Sequence, residues 1–448
     1  MSGSRSQKIS LSAGQQCTLS GEGRITIHLS DGVVEIGGVV IGANQQYPFS
    51  LSDNCSVTLV TLEGGSIVLA HPVATTVDVL KTSTEMSTVM ALARKDVQRG
   101  KPTVVAVIGG PRTGKSHAAQ TYANILAQGL GKRQGASAPG VYYADASGSL
   151  TPGCLSVMEL QSVDGVLSES TFLWPSHTPA PDRVQCSFWL GNEHSTISAA
   201  GMPLFLHTLG QLHACCDAMA KNQTAITSTN RPVGHVVYDL PTTDGTLPRE
   251  LFYQRVLEMI RPTVLIITES DKGPRDWSRS IEENIRRTSP LTEIAVVLQN
   301  QRLSASPSGS LRYSLRQYFS GTVGHSLGSA KVVVQLSKLR WYRVRPSTST
   351  GSAYVSEAVV PSSSVVAGCL CALSHAKLDV EVPFANVCGV VFIASVSEEH
   401  DECVLVVPSC DTQLPNNVLV LASSSTEGAL PWKLSADEVS EVEEAVCL

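Results

Sequence analysis

Aromatic residues are scarce in this chain, at 5% of the total, and no apolar run is long enough to cross a bilayer as a helix. Positive charge is not in excess either: 33 Lys and Arg against 39 Asp and Glu leave a net charge of −6. A uniformly basic coat is thereby excluded, and any contact with nucleic acid has to run through a local groove. The twelve cysteines include no C-x-x-C pair, and neither Cys215-Cys216 nor Cys369-Leu-Cys371 has zinc-ligand spacing. They read as reduced, small core residues. The opening Met1-Ser-Gly-Ser-Arg-Ser-Gln-Lys carries no apolar signal segment, so the cytosol or nucleus is the expected compartment and no membrane association is expected.

What is present is enough apolar material for real cores: 42% of 448 residues, a length that suits about three domains. Residues 8–82 alternate apolar and polar in short runs broken by glycine and polar turns, as in Arg24-Ile-Thr-Ile-His-Leu29 and Ser66-Ile-Val-Leu-Ala70. That pattern predicts an antiparallel β domain, a sandwich or a barrel. A helix is expected over about 83–100, its Arg94, Lys95 and Arg99 reading as solvated charges near the C-terminal end of the helix dipole.

The chain is organised around the stretch from Val104 to Ala119. Val104 to Ile108 is a β-branched apolar run, expected as a buried strand of a parallel sheet. Gly109-Gly-Pro-Arg-Thr-Gly114-Lys115-Ser116 then has the spacing of a phosphate-binding loop, and a helix with Ala118, Tyr122, Ile125 and Leu126 comes next, closed by Gly129. Glycines let backbone N–H groups curl around a polyphosphate, the helix N-terminus adds a favourable dipole, Lys115 reaches the terminal phosphates, and the Ser116 hydroxyl suits Mg²⁺. The expected nucleotide-binding set is Gly109, Gly110, Pro111, Arg112, Thr113, Gly114, Lys115, Ser116 and His117.

Two further strands end in acids. Val141-Tyr-Tyr-Ala-Asp145 places Asp145 at the ligand crevice, where it either holds metal, or takes a proton, or merely caps the next turn. Gly234-His-Val-Val-Tyr-Asp239 ends on the acid that competes with Asp145 for the metal. Residues 148–187, rich in Gly, Pro, Ser and Thr, read as a long surface excursion. Helices over about 203–221, 247–260 and 277–287 alternate with strands at 263–267 and 294–298, which predicts a doubly wound parallel sheet. Arg312 and Arg316 share one face of a later helix, either as a phosphoryl-transfer lid or as a solvated basic face. His207 and His213 read as ordinary helix residues. From about 330 the patterning returns to β, and an acidic stretch runs from Ser435 to Leu448. The expected architecture is α/β, a central P-loop sheet (83–329) between N-terminal (1–82) and C-terminal (330–448) β-rich domains.

Several stretches in the right order resemble the Clp-type mRNA cleavage and polyadenylation factors, eukaryotic relatives of the polynucleotide 5′-hydroxyl kinases. Gly32-Val-Val-Glu-Ile-Gly-Gly is similar to the family's Gly-x-Ala-Glu-Ile-Phe-Gly, and Arg316-Gln-Tyr-Phe-Ser-Gly321 to its Arg-Glu-Tyr-Phe-Tyr-Gly. The phosphate loop, Asp145…Pro152-Gly153, Val332–Val344, Asn386-Val-Cys-Gly and Leu414-Pro-Asn-Asn complete the likeness. The resemblance implies ATP and Mg²⁺ at Gly109–Ser116, a nuclear role in pre-mRNA 3′-end formation and other cleavage-factor subunits as partners. In active members it implies γ-phosphate transfer to an RNA 5′-hydroxyl, with Asp145 as base, Lys115 and Ser116 on phosphate and metal (Ser116, Asp145 and Asp239 being the metal candidates), and Arg312 and Arg316 neutralising the transferred group. The chain departs from the pattern after Asp145, where Ala-Ser-Gly-Ser replaces a Gln-containing loop, and at Leu240-Pro-Thr-Thr-Asp, which lacks the family's Trp. These departures imply an ATP-binding scaffold with weak or lost kinase activity; the alternatives are an active RNA 5′-hydroxyl kinase and a generic P-loop ATPase or GTPase.

Overall fold

The computed structural model describes residues 5–444 apart from 22, 44, 52–55, 72–74, 82–83, 135–137, 149, 161, 164–165, 168–183, 192–195, 227–232, 271–274, 300–306, 323–324, 348–353, 410–412 and 423–431. It is a mixed α/β protein. Near the N-terminus a four-stranded antiparallel sheet (5–11, 65–71, 23–32, 46–51) and a five-stranded one (39–40, 35–36, 57–61, 15–20, 76–81) share one core. Their alternating burial, with Ile25, Ile27 and Leu29 inward, is the period-two pattern of the sequence.

The central sheet has seven strands in the order 184–189, 154–160, 141–145, 235–239, 104–109, 264–270, 293–299. The last five are mutually parallel, whereas Cys154–Leu160 runs antiparallel to both of its neighbours, Val141–Asp145 and Val184–Trp189. The sheet is therefore mixed, not wholly parallel. Cys154–Leu160, read from sequence as part of a surface excursion, is a buried strand because Leu155, Val157 and Met158 fill the core on its two faces. Residues 168–183 of that stretch lie outside the described residues.

Both faces of this sheet are covered, which is why its strands read as continuous apolar runs. Val105 and Val107 pack with α1 (Thr84–Arg99) and α2 (Lys115–Gln134) and the N-terminal sheets. Ala106 and Ile108 pack on the other side with α3 (Met202–Ile226), α4 (Arg249–Ile260) and α5 (Asp276–Thr288). Gly129 does not close α2, which runs on to Gln134. A Cβ there would lie 2.8 Å from both Val97 methyls, so this glycine lets α1 and α2 approach. The basic residues of α1 are not simply solvated. Arg94 pairs with Glu35 at 2.5 Å, and Lys95 and Arg99 both reach Glu293 at 2.5 and 2.8 Å. These pairs tie α1 to its neighbours, although solvent screening at the exposed side chains keeps each contribution small.

Beyond α6 (Pro307–Ser320) a second seven-stranded sheet is formed, in the order 330–335, 402–407, 387–397, 370–374, 418–421, 340–346, 354–358. One face joins the central core through Leu370, Phe392 and Val420, and the other is filled by Cys371, Ile393 and Leu405. The acidic stretch after Ser435 is a helix at Ala436–Glu444. Among the described residues no helix is long and apolar enough to cross a membrane.

Candidate functional site

The turn from Gly109 into α2 sits at the C-terminal edge of the central parallel strands, where open α/β sheets place ligands. Its glycines serve two purposes. Gly114 has φ +77°, a left-handed conformation that glycine adopts without strain, and Arg112 shares that region at φ +57°. Gly109 is instead required by space, since a Cβ on it would lie 2.1 Å from Thr268 Oγ1. Two latches fix the turn. The Thr113 hydroxyl donates to Gly110 O at 2.9 Å and lies 2.7 Å from the Thr268 hydroxyl, while the Tyr253 hydroxyl is shared between Gly109 O at 2.7 Å and Pro241 O at 2.9 Å.

The backbone N–H groups of Arg112, Thr113, Gly114, Lys115 and Ser116 donate to no other described group. They are a set of unused donors at a helix N-terminus, the arrangement that takes a phosphate. The Lys115 ammonium folds back onto Gly110 O at 2.9 Å. Burial, chiefly, pushes its pKa down to about 8; Arg249 adds to the fall and Asp239 opposes it. His117, in the first turn of α2, is held neutral by burial, its pKa down at about 4, and its Nδ1 has no partner among the described residues.

Asp145 and Asp239 face each other across neighbouring parallel strands, in direct register. Both are fully buried, yet their surroundings differ. Asp145 accepts from the Ser147 N–H at 2.9 Å, the Ser147 hydroxyl at 2.8 Å and the Leu150 N–H at 2.6 Å, so its carboxylate closes the turn directly after it. Asp239 accepts on Oδ2 from Tyr143 at 3.0 Å and from Ser147 at 3.1 Å, and its Oδ1 makes no well-formed hydrogen bond among the described residues. Burial, then the nearby Asp145 charge, raises the Asp239 pKa to about 6, against the opposing pull of Ser116, Lys115 and Tyr143.

These two values make a prediction. If this turn takes Mg²⁺ with a nucleoside triphosphate, through Asp239 and Lys115, binding needs Asp239 ionised and Lys115 protonated. The association constant of the free protein should trace a bell, weakening below about 6 and above about 8. Calorimetric titration from pH 5 to 9 checks this, and a flat profile across that range sinks it.

Arg312 and Arg316 lie four apart on α6; the Arg312 side chain is outside the described residues and Arg316 is exposed. His207 stacks with Tyr354 and Phe384, and His213 sits 2.7 Å from the Tyr238 hydroxyl, so both are packing residues. Among the described residues no cluster of three or more His, Cys, Asp or Glu could hold a metal by itself.

Sequence reading missed three residues. Thr268 and Tyr253 latch the turn from a neighbouring strand and from α4. Arg249, first residue of α4, brings its guanidinium over the turn: a Cβ built on Gly110 would lie 3.6 Å from Arg249 Nη1. No local pattern announces these, because each is brought in from well over a hundred residues away by the sheet order.

No family model and no curated protein matches the chain. Among solved structures, a wild-type Clp1p–Pcf11p complex matches with a TM-score of 0.70 at 18% identity, covering 94% of this chain and 98% of that one. A second Clp1p–Pcf11p structure, concerned with an extended interface between the two proteins and with ATP loss in a glycine-to-arginine point mutant, matches at 0.69 and 19% identity over the same shares. Over 94% of its length, then, the chain has the fold of Clp1p.

Proposed function

We propose that the chain is an ATP-binding subunit of the pre-mRNA 3′-end cleavage and polyadenylation machinery, working in the nucleus mainly as a nucleotide-stabilised scaffold with weak or lost kinase activity. The observation that carries this reading is the row of unused N–H donors from Arg112 to Ser116 beside the Lys115 ammonium. A polyphosphate satisfies both at once. In this reading the chain divides into 1–82, the P-loop sheet at 83–329, and 330–448, and cleavage-factor subunits are its partners. Support for the partners is the fold shared with a protein solved together with Pcf11p.

The residues present also fit a divalent cation. Ser116 lies close enough to Asp239 to favour its ionised form, and one Asp239 oxygen is buried without a good partner, so a hydroxyl and a carboxylate oxygen stand near each other as hard ligands. Mg²⁺ bound there supplies charge neutralisation between neighbouring phosphates. Asp239 is better placed for that task than Asp145, whose oxygens are taken by Ser147 and Leu150. The same engagement disfavours Asp145 as a proton acceptor, and this supports a scaffold over an enzyme.

Nucleotide extracted from freshly purified protein should be an adenine nucleotide. At a hundredfold excess over its dissociation constant, Mg·ATP should stabilise the fold by about 2.7 kcal/mol, an effect that Lys115→Met removes. An unfolding midpoint indifferent to Mg·ATP would sink the reading. The rival, an RNA 5′-hydroxyl kinase, draws on the direct register of Asp145 and Asp239 at the crevice. It requires transfer of labelled γ-phosphate to a 5′-hydroxyl oligonucleotide, abolished by Asp145→Asn.

A further inference from the structure

The cations around Gly110 are more than the loop motif accounts for. Lys115 Nζ lies on the Gly110 carbonyl at 2.9 Å. The Arg249 guanidinium covers the same residue from the α-carbon side, with Nη1 and Cζ 3.6 and 3.9 Å from where a Cβ would stand. Like-charge repulsion between the two is felt at Lys115, where Arg249 disfavours the protonated form. Such an arrangement is usually balanced by acids, yet among the described residues no carboxylate lies within ion-pairing distance of Arg249. Glu269, the buried acid ending the next strand, faces Arg275 instead at 3.6 Å. What holds Arg249 is an aromatic face: its Cζ lies 5.8 Å from the ring centroid of Trp277, a buried residue of α5. A ring face orients a guanidinium while leaving its N–H groups available to an anion.

We propose that Arg249 is a second phosphate ligand of this turn, binding the terminal phosphate of a nucleoside triphosphate and so making the site discriminate triphosphate from diphosphate. The assignment rests on the reading of the turn as a nucleotide site. Amides from Arg112 to Ser116 surround the inner phosphates, and the lysine of such a loop reaches the outer ones. Lys115 Nζ marks the outer end at Gly110, which is where Arg249 arrives. A diphosphate ends short of that point; a third phosphate sits between two cations and relieves their repulsion.

The test compares Mg²⁺ complexes of AMP-PNP and ADP by calorimetry, for the full-length chain and for Arg249→Gln and Arg249→Lys. Loss of one charge-assisted hydrogen bond to phosphate weakens binding by about tenfold to a hundredfold. Arg249→Gln should show that loss for AMP-PNP and at most about a twofold change for ADP. Arg249→Lys, which keeps the charge but not the planar fork, should fall between. A residue that only supports α4 would weaken both nucleotides alike. A parallel loss for both, or no loss for either in a wild-type protein that binds them, overturns the assignment and leaves the nucleotide reading standing. A wild-type protein that binds neither nucleotide overturns both.

Discussion

Gly109→Ala should lower the stability of the fold by about 3 kcal/mol, at the upper end of what overpacking costs. An added Cβ would stand 2.1 Å from Thr268 Oγ1, 2.5 Å from Thr268 O and 2.7 Å from Thr113 Oγ1. None of the three can yield cheaply. Thr268 O belongs to the backbone of a strand paired with Gly109 in the interior of the seven-stranded sheet. The two hydroxyls are the latch itself, and the Thr268 hydroxyl also donates to Ile108 O at 3.2 Å. The neighbouring Gly110→Ala is the control. Its Cβ would meet nothing nearer than Thr113 Cγ2 at 3.4 Å, so its cost should stay below about 1 kcal/mol. Urea unfolding of the two variants measures the difference. Equal midpoints would mean that the approach of the two strand ends is not what requires a glycine at 109.

The second large effect comes from His235, which opens the strand ending in Asp239. Its side chain is fully buried, and neither ring nitrogen has a partner among the described residues. Burial brings its pKa from 6.5 down to about 4. Below 6.5 the unfolded chain takes up a proton that the folded chain refuses until about pH 4, so this histidine removes stability as pH falls through that window. Full development of the effect is roughly 3 kcal/mol. Asp239 acts with the opposite sign. Its folded pKa is raised to about 6 from 3.8, so the folded state binds the proton first and gains stability as pH falls between those values. The absolute acid limb therefore mixes opposing contributions, and the informative quantity is the difference between wild type and His235→Leu. That variant should be more stable at neutral pH by about 1–2 kcal/mol, because two unmet polar atoms leave the core. Its advantage should widen by roughly 3 kcal/mol toward pH 4. Parallel stability curves for the two proteins between pH 7 and 4 would show that His235 is not held neutral.

Legibility in the sequence tracked the range of the interactions. The run Val104–Ile108, the glycine spacing and the start of α2 are local features, and each appears where the sequence puts it. The N-terminal β pattern was equally plain, since alternation within one strand already says which side faces in. Failures came where a distant partner decides. Gly129 looked like a helix end until Val97 of another helix explained it. Cys154–Leu160 lay in a stretch whose small polar residues read as loop, and only its pairing with Val141–Asp145 and Val184–Trp189 made it a strand. Asp145 and Asp239 were indistinguishable as strand-ending acids. The turn that wraps one of them and leaves an oxygen of the other open is a tertiary fact.

By itself, then, the sequence determined the glycine-rich strand-to-helix turn, the apolar strands around it and the β-rich flanks, because backbone conformation and side-chain periodicity are written within a few residues. The folded chain alone decided which groups meet at that turn. Thr268, Tyr253 and Arg249 arrive there because neighbouring strands and helices converge on one edge of a sheet, and convergence over such separations leaves no mark in the order of residues.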